Sequence, residues 1–183
     1  RMRKLIVVFA FILALLGSNL TYAEVQDDSI KSDDALKTFM SSKNSKLSDQ
    51  ALNNLMKSIN KASANYNVDK ELIAAVIWQE SNFNPSLTYN RCIGAMQIHV
   101  NTGKAYGYTS EDLYNSDINI DFGTRYLSGH IQSYGGDVLK ALSAYNQGTT
   151  RVNKGNYSTK YQSQVSAKME TIKTYVATYV ASH

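Results

Sequence analysis

The run Leu72-Ile73-Ala74-Ala75-Val76-Ile77-Trp78-Gln79-Glu80-Ser81 decides both the fold and its chemistry. Ile73, Val76 and Ile77 lie seven, four and three residues before Glu80. On an α-helix these positions share one side. That side is apolar and should face a core. A carboxylate at the end of such a stripe is costly to strip of water. The helix is expected to stop between Asn82 and Pro85, which also sets Glu80 near the negative end of the helix dipole. Both effects favour the neutral acid and raise its pKa. A glutamate of ordinary pKa is only about 0.2% protonated at neutral pH, whereas one raised to ~6 is about 10% protonated. The second has the properties of a general acid. The alternative is a glutamate that swings into solvent at a fraying helix end.

Around this helix the chain holds one domain and a leader. Arg1, Arg3 and Lys4 precede an uninterrupted apolar run from Leu5 to Leu16, followed by Thr21-Tyr22-Ala23. A basic start, an apolar middle and small residues before a cut describe a secretory signal peptide over residues 1–23. The run is too short for a comfortable membrane span. The formal charge is +4, and removing the three leader cations leaves +1. The basic pI therefore belongs largely to the leader, and nucleic acid is not expected as a partner. Cys92 is the single cysteine. It implies no internal disulfide and reads as a small buried hydrophobe.

Residues 24–47 are polar and rich in Ser, Asp and Lys, with at most a short helix over Asp33 to Met40. They read as an N-terminal arm or tether. From residue 48 the pattern becomes helical and continues to 183. Ser48 is an N-cap candidate before Leu52, Leu55, Met56, Ile59 and Ala62. Asp69 stands before the Glu80 helix. A helical turn is expected around Met96 to Lys104, and longer helices over Asp117 to Tyr134, over Asp137 to Gln147 ending at Gly148, and through Tyr161, Val165, Met169, Ile172, Val176 and Tyr179. No stretch alternates as a strand should. The domain reads as all-α, with six or seven helices.

Three short motifs follow one another. They are Glu80-Ser81-Asn82-Phe83-Asn84-Pro85, Gly94-Ala95-Met96-Gln97-Ile98 and Ala141-Leu142-Ser143-Ala144-Tyr145-Asn146-Gln147-Gly148. Together they resemble the lytic transglycosylases of the soluble-lytic-transglycosylase, goose-type-lysozyme-like family, over about residues 62–180. The resemblance implies a lysozyme-like fold around a glycan-binding groove. It implies that Glu80 is the catalytic acid/base, and that Ser81, Met96, Gln97, Tyr145, Asn146 and Tyr161 form the substrate site. Gly94, Met96 and Gln97 match the family's Gly-Leu-Met-Gln, with Ala95 replacing Leu. Ala144, Tyr145 and Asn146 match its Ala-Tyr-Asn, and Asn119-Ile120, Gly123 and Tyr126-Leu127 match the helix before that motif. Tyr161 maps to a tyrosine that contacts the catalytic carboxyl, although the Glu-Thr that usually precedes it is absent. Ser81 would orient the carboxyl or donate to substrate, Gln97 would bond an acetamido or lactyl group, and Met96 would form an apolar wall.

The implied reaction cleaves the MurNAc–GlcNAc β-1,4 bond of peptidoglycan without water and leaves a 1,6-anhydro-MurNAc end. Glycosidic cleavage commonly uses two carboxylates. Here no second acid stands beside the first motif, and Asp117 and Asp121 read as surface and cap residues. One glutamate acting first as acid and then as base would suffice, because the sugar's own 6-hydroxyl is the nucleophile. Two rival readings are a lysozyme-type hydrolase on the same fold and a non-catalytic peptidoglycan-binding module. Asp117, Asn119 and Asp121 alternate like a calcium loop, but Phe122 and Ser128 stand where that loop needs Gly and Glu. No metal and no cofactor are expected. The expected partners are peptidoglycan glycan strands, with a secretion or conjugation machine as one setting. The protein is expected to be an exported monomer in the periplasm or cell wall, without a stable membrane span once the leader is cut.

Overall fold

A computed structural model describes residues 26–183; the leader expected over residues 1–23 lies outside the described residues. The described chain forms eight α-helices: α1 (26–43), α2 (Asp49–Tyr66), α3 (Lys70–Ser81), α4 (Val100–Ala105), α5 (Ser116–Ser133), α6 (Val138–Gln147), α7 (Thr149–Asn153) and α8 (Lys160–Ser182). A 3-10 turn over Asp112–Tyr114 precedes α5.

Helix α3 is the axis of the molecule. Every residue from Leu72 to Ile77 is buried, so the helix is apolar on all sides and not only on the stripe leading to Glu80. A helix of that kind must be surrounded. Helix α8 packs along it, with Tyr161, Val165 and Ile172 buried, and α2 packs on both α3 and α5. Asn82 ends α3 in the left-handed conformation, its N–H donating to the Trp78 carbonyl. Phe83 follows at φ 61 and is fully buried. A bulky side chain at positive φ is strained. Here that conformation turns the chain sharply while driving the Phe83 ring into the core.

The polar arm expected over 24–47 is not what forms. Helix α1 places Ala35, Leu36, Phe39 and Met40 in the core. The Phe39 ring meets Trp78 edge-on at 5.2 Å and Tyr175 at 5.3 Å, so α1 seals the junction of α3 and α8. Asp33 accepts hydrogen bonds from Asn60 on α2 and Lys70 on α3. Four apolar residues on one face suffice to dock a helix whose remaining residues are polar.

The chain between α3 and α4 also differs from expectation. Strands β1 (Thr88–Tyr89), β2 (Cys92–Ile93) and β3 (Ile98–His99) make a small antiparallel sheet. Two residues per strand are too few to show alternation in a sequence. Ser48 does cap α2, accepting from the Ala51 N–H. Asn115, not Asp117, caps α5. Asp117 instead pairs with Lys61 at the surface, and Asp121 accepts from the Tyr66 hydroxyl. No helix among the described residues is long and apolar enough to cross a membrane.

Candidate active site

Glu80 emerges from the last turn of α3 into a cleft shared with Cys92, Gln97, Ile98, His99, Thr102, Tyr126, Tyr145 and Asn146. It is the only carboxylate among these lining residues. Its Oε1 accepts a hydrogen bond of 2.6 Å from the Tyr161 hydroxyl on α8. Burial raises the Glu80 pKa to about 7, against the smaller lowering effect of the Tyr161 bond. At neutral pH the group is thus divided between acid and carboxylate. Burial, reinforced by the nearby Glu80 charge, holds the Tyr145 and Tyr161 phenols well above their ordinary range. Both remain hydrogen-bond donors at any working pH.

The second motif forms the opposite wall, held in shape from behind. Asn119, fully buried on α5, accepts from the Met96 N–H and donates to the Ile93 and Leu113 carbonyls. A single amide thereby bonds three backbone groups at once. Gly94 is required beside it. A Cβ there would lie 2.4 Å from Asn119 Nδ2, and the backbone has φ +83. Gly123 is required for a related reason, since a Cβ on it would lie 2.5 Å from Met96 Sδ. Tyr145 completes the brace by donating to the Met96 carbonyl at 2.9 Å.

The residues expected to touch substrate divide into two groups. Gln97, Tyr145 and Asn146 do line the cleft with Glu80, and Tyr161 bonds the carboxyl directly. Gln97 spends its amide NH2 on the Leu87 and Gly94 carbonyls, which leaves its Oε1 to meet a ligand. Ser81 and Met96 do not face the cleft. The Ser81 hydroxyl is buried and donates to the Ile77 and Ala95 carbonyls, tying the first motif to the second. Met96 is fully buried against Gly123 and accepts a weak bond from Thr124. Its work is internal packing, not an apolar groove wall.

Cys92, His99, Thr102 and Tyr126 belong to the cleft and carried no expectation of a site role. His99 Nδ1 accepts from the Asn101 N–H, so in the neutral ring the proton sits on Nε2. Cys92 is half-buried rather than buried, and burial with the Glu80 charge pushes its thiol pKa up. Tyr126 had a sequence signal. Phe122, Tyr126 and His130 recur at intervals of four and form one aromatic stripe on α5. Among the described residues, no three His, Cys, Asp or Glu side chains gather as metal ligands would.

The chain belongs to the transglycosylase SLT domain family, which residues 57–167, more than half of its length, match. Among curated proteins it is similar to a transglycosylase of Enterobacteria phage PRD1, 38% identical over 108 residues, covering 58% of this chain and 40% of that protein. The peptidoglycan transglycosylase gp16 of Escherichia phage T7 is 34% identical over 98 residues, covering 50% of this chain and 7% of that protein. The membrane-bound lytic murein transglycosylase C of Photorhabdus laumondii is 34% identical over 111 residues, covering 51% and 31%. The chain thus spans less than half the length of each. A crystal structure of an inactive mutant of the lytic transglycosylase Slt from Pseudomonas aeruginosa shares the fold. Its TM-score is 0.50 at 21% identity, covering 68% of this chain and 23% of that one.

Proposed function

We propose that this domain is a peptidoglycan lytic transglycosylase with Glu80 as its single acid/base. One observation carries the reading: a carboxyl with a pKa of about 7, fixed by Tyr161, stands as the only acid among the described residues that line its cleft. Neutral Glu80 donates its proton to the glycosidic oxygen between MurNAc and GlcNAc, and the C1–O bond breaks. The substrate's acetamido oxygen supports the positive charge at C1. The Glu80 carboxylate then takes the proton of the MurNAc 6-hydroxyl as O6 bonds to C1. The product is a 1,6-anhydro-MurNAc end, and Glu80 is protonated again.

The surroundings suit both halves of this cycle. Burial keeps the acid protonated before cleavage, and the Tyr161 hydroxyl steadies the carboxylate between the two proton transfers. An internal nucleophile has a high effective concentration, so no water-activating base is required. Glycoside hydrolysis commonly uses two carboxylates, and among the described residues Glu80 is the only one that lines the cleft. A passive binding module would have no use for a desolvated carboxyl. The leader-like residues 1–23 support action outside the cytoplasmic membrane. The deciding experiment identifies the new chain ends released from purified peptidoglycan. Anhydro ends support the transglycosylase, and reducing ends would replace it with the hydrolase.

A further inference from the structure

The small sheet and α4 present a second face, away from Glu80. Cys92 and His99, partners across β2 and β3, line the cleft, whereas their chain neighbours Arg91 and Val100 line a separate hollow of about 450 Å³. Successive residues of a strand point to opposite sides, which explains the division. Along α4, Thr102 belongs to the cleft, and Asn101 and Lys104 belong to the hollow. Tyr108 and Ser110 complete its walls. One thin partition therefore carries the cleavage site on one side and this hollow on the other.

The hollow is electropositive. Two cations line it and no carboxylate does. Among the described residues neither Arg91 nor Lys104 makes an ion pair. Asp112, close by in sequence, is already engaged, its Oδ2 accepting from the Thr109 N–H and hydroxyl. Glu111 follows Ser110 but is not among the lining residues. Arg91 also occupies a strained position. Tyr89 pairs with Cys92, so Asn90 and Arg91 alone make the hairpin turn, at φ 46 and φ 64. Such a turn favours Asn and then Gly, because both places are left-handed. An arginine at the second place is tolerated against that preference. Its carbonyl accepts from the Val100 N–H at 2.9 Å, and its Nη2 donates to Asn101 Oδ1 at 3.0 Å. The guanidinium is thus held beside the Asn101 amide, whose NH2 is left as a further donor. The cleavage chemistry at Glu80 makes no use of this arrangement.

We infer that this hollow binds the carboxylates of an acidic peptide, with Arg91, Asn101 and Lys104 as its donors. A planar guanidinium beside an amide NH2 matches the two oxygens of one carboxylate, and the Lys104 ammonium serves a second as a point charge. The peptide is either carried by the strand in the cleft or separate from it, and both sources offer the same chemistry. Only the first source rests on the glycan reading of the cleft.

The test is an NMR titration of isotope-labelled protein, read at the Arg91 side chain and at the backbone amides of α4. The probes are two N-acetylated peptides, Ala–Glu–Ala and its γ-linked D-Glu counterpart, together with their carboxyl-amidated forms and inorganic phosphate. Saturable shifts at Arg91 and α4 are expected from the acids and not from the amides. Arg91→Gly puts the residue that the turn prefers at φ 64, so the variant should fold with a thermal midpoint at or above that of wild type. It should nevertheless bind about tenfold more weakly, in the range of one charge-assisted hydrogen bond. Lys104→Gln should weaken binding about threefold, as expected for an exposed charge. Tighter binding of the γ-linked peptide assigns the site to a peptide on the strand, and tighter binding of the ordinary peptide assigns it to a separate one. The inference is overturned if neither acid binds, if the amides or phosphate bind as well as the acids, or if Arg91→Gly binds as wild type does. No cleavage is read, so this site and the Glu80 chemistry fail separately. Reducing-end products would leave it standing, and a silent titration would leave the transglycosylase standing.

Discussion

The Tyr161 hydroxyl donates to Glu80 Oε1 across 2.6 Å, linking the first turn of α8 to the last turn of α3 over 81 positions of sequence. The bond crosses the interface of the molecule's most buried helix, so the packing that folds the domain also aims its carboxyl. It opposes the effect of burial on Glu80 without overcoming it. A neutral acid and a held carboxylate are both within reach at neutral pH.

The pH dependence of cleavage follows directly. In the proposed cycle Glu80 begins protonated, and its pKa is raised to about 7. The rate constant kcat/KM should therefore be level on the acid side and fall about tenfold per pH unit above that value. Initial rates on peptidoglycan between pH 5 and 9 would check this. A limb near the ordinary carboxylate value would mean that another group controls the reaction.

The same shift predicts a stability effect. The folded state binds the Glu80 proton more tightly than the unfolded chain does, so this group's burial is tolerated at low pH. Stability is lost as pH rises from the ordinary value of 4.5 through about 7. Glu80→Gln removes that penalty. Denaturant unfolding should show the variant gaining over wild type as pH rises, by up to about 3 kcal/mol at pH 8. A constant difference across the range would place the carboxyl in solvent.

Tyr161→Phe keeps the buried ring and removes only the donor. Because the bond lowers the Glu80 pKa, its loss should move the falling limb of the rate profile to higher pH. The carboxylate that the proposed cycle uses for its second proton transfer also loses its support, and kcat should drop about tenfold, in the range of one charge-assisted hydrogen bond. Parallel pH–rate profiles of the two proteins would separate these effects. An unshifted limb would show that the contact does not govern the acid.

Helix α1 should be part of the folding unit. Phe39 is 2% exposed and packs on both Trp78 and Tyr175. Phe39→Ala should cost about 3–5 kcal/mol by thermal or denaturant unfolding. Removal of residues 26–43 should prevent folding, whereas a true tether would be dispensable.

The comparison of sequence with structure follows from what each pattern can encode. Glu80 was legible because a long apolar run ends in an acid, and that conflict survives without any knowledge of neighbours. Ser81 and Met96 were misplaced because motif order does not say which way a side chain points. Ser81 is one residue on from Glu80, a turn of about 100° around the helix, and that turn carries it from the cleft into the interior. Met96 and Gln97 are adjacent, yet one is fully buried and the other reaches the cleft. Helix α1 was obscured because composition averages over faces. Ala35, Leu36, Phe39 and Met40 make one narrow stripe in a polar segment. The cleft residues His99 and Thr102 depend on how the small sheet folds back, which two-residue strands do not announce.

The most direct test of the central claim is mass spectrometry of the fragments that wild type and Glu80→Gln release from purified peptidoglycan. The account predicts 1,6-anhydro-MurNAc ends from wild type and a fall of at least ~100-fold in a folded Glu80→Gln variant. Reducing MurNAc ends from wild type, or near-normal cleavage by Glu80→Gln, would contradict it.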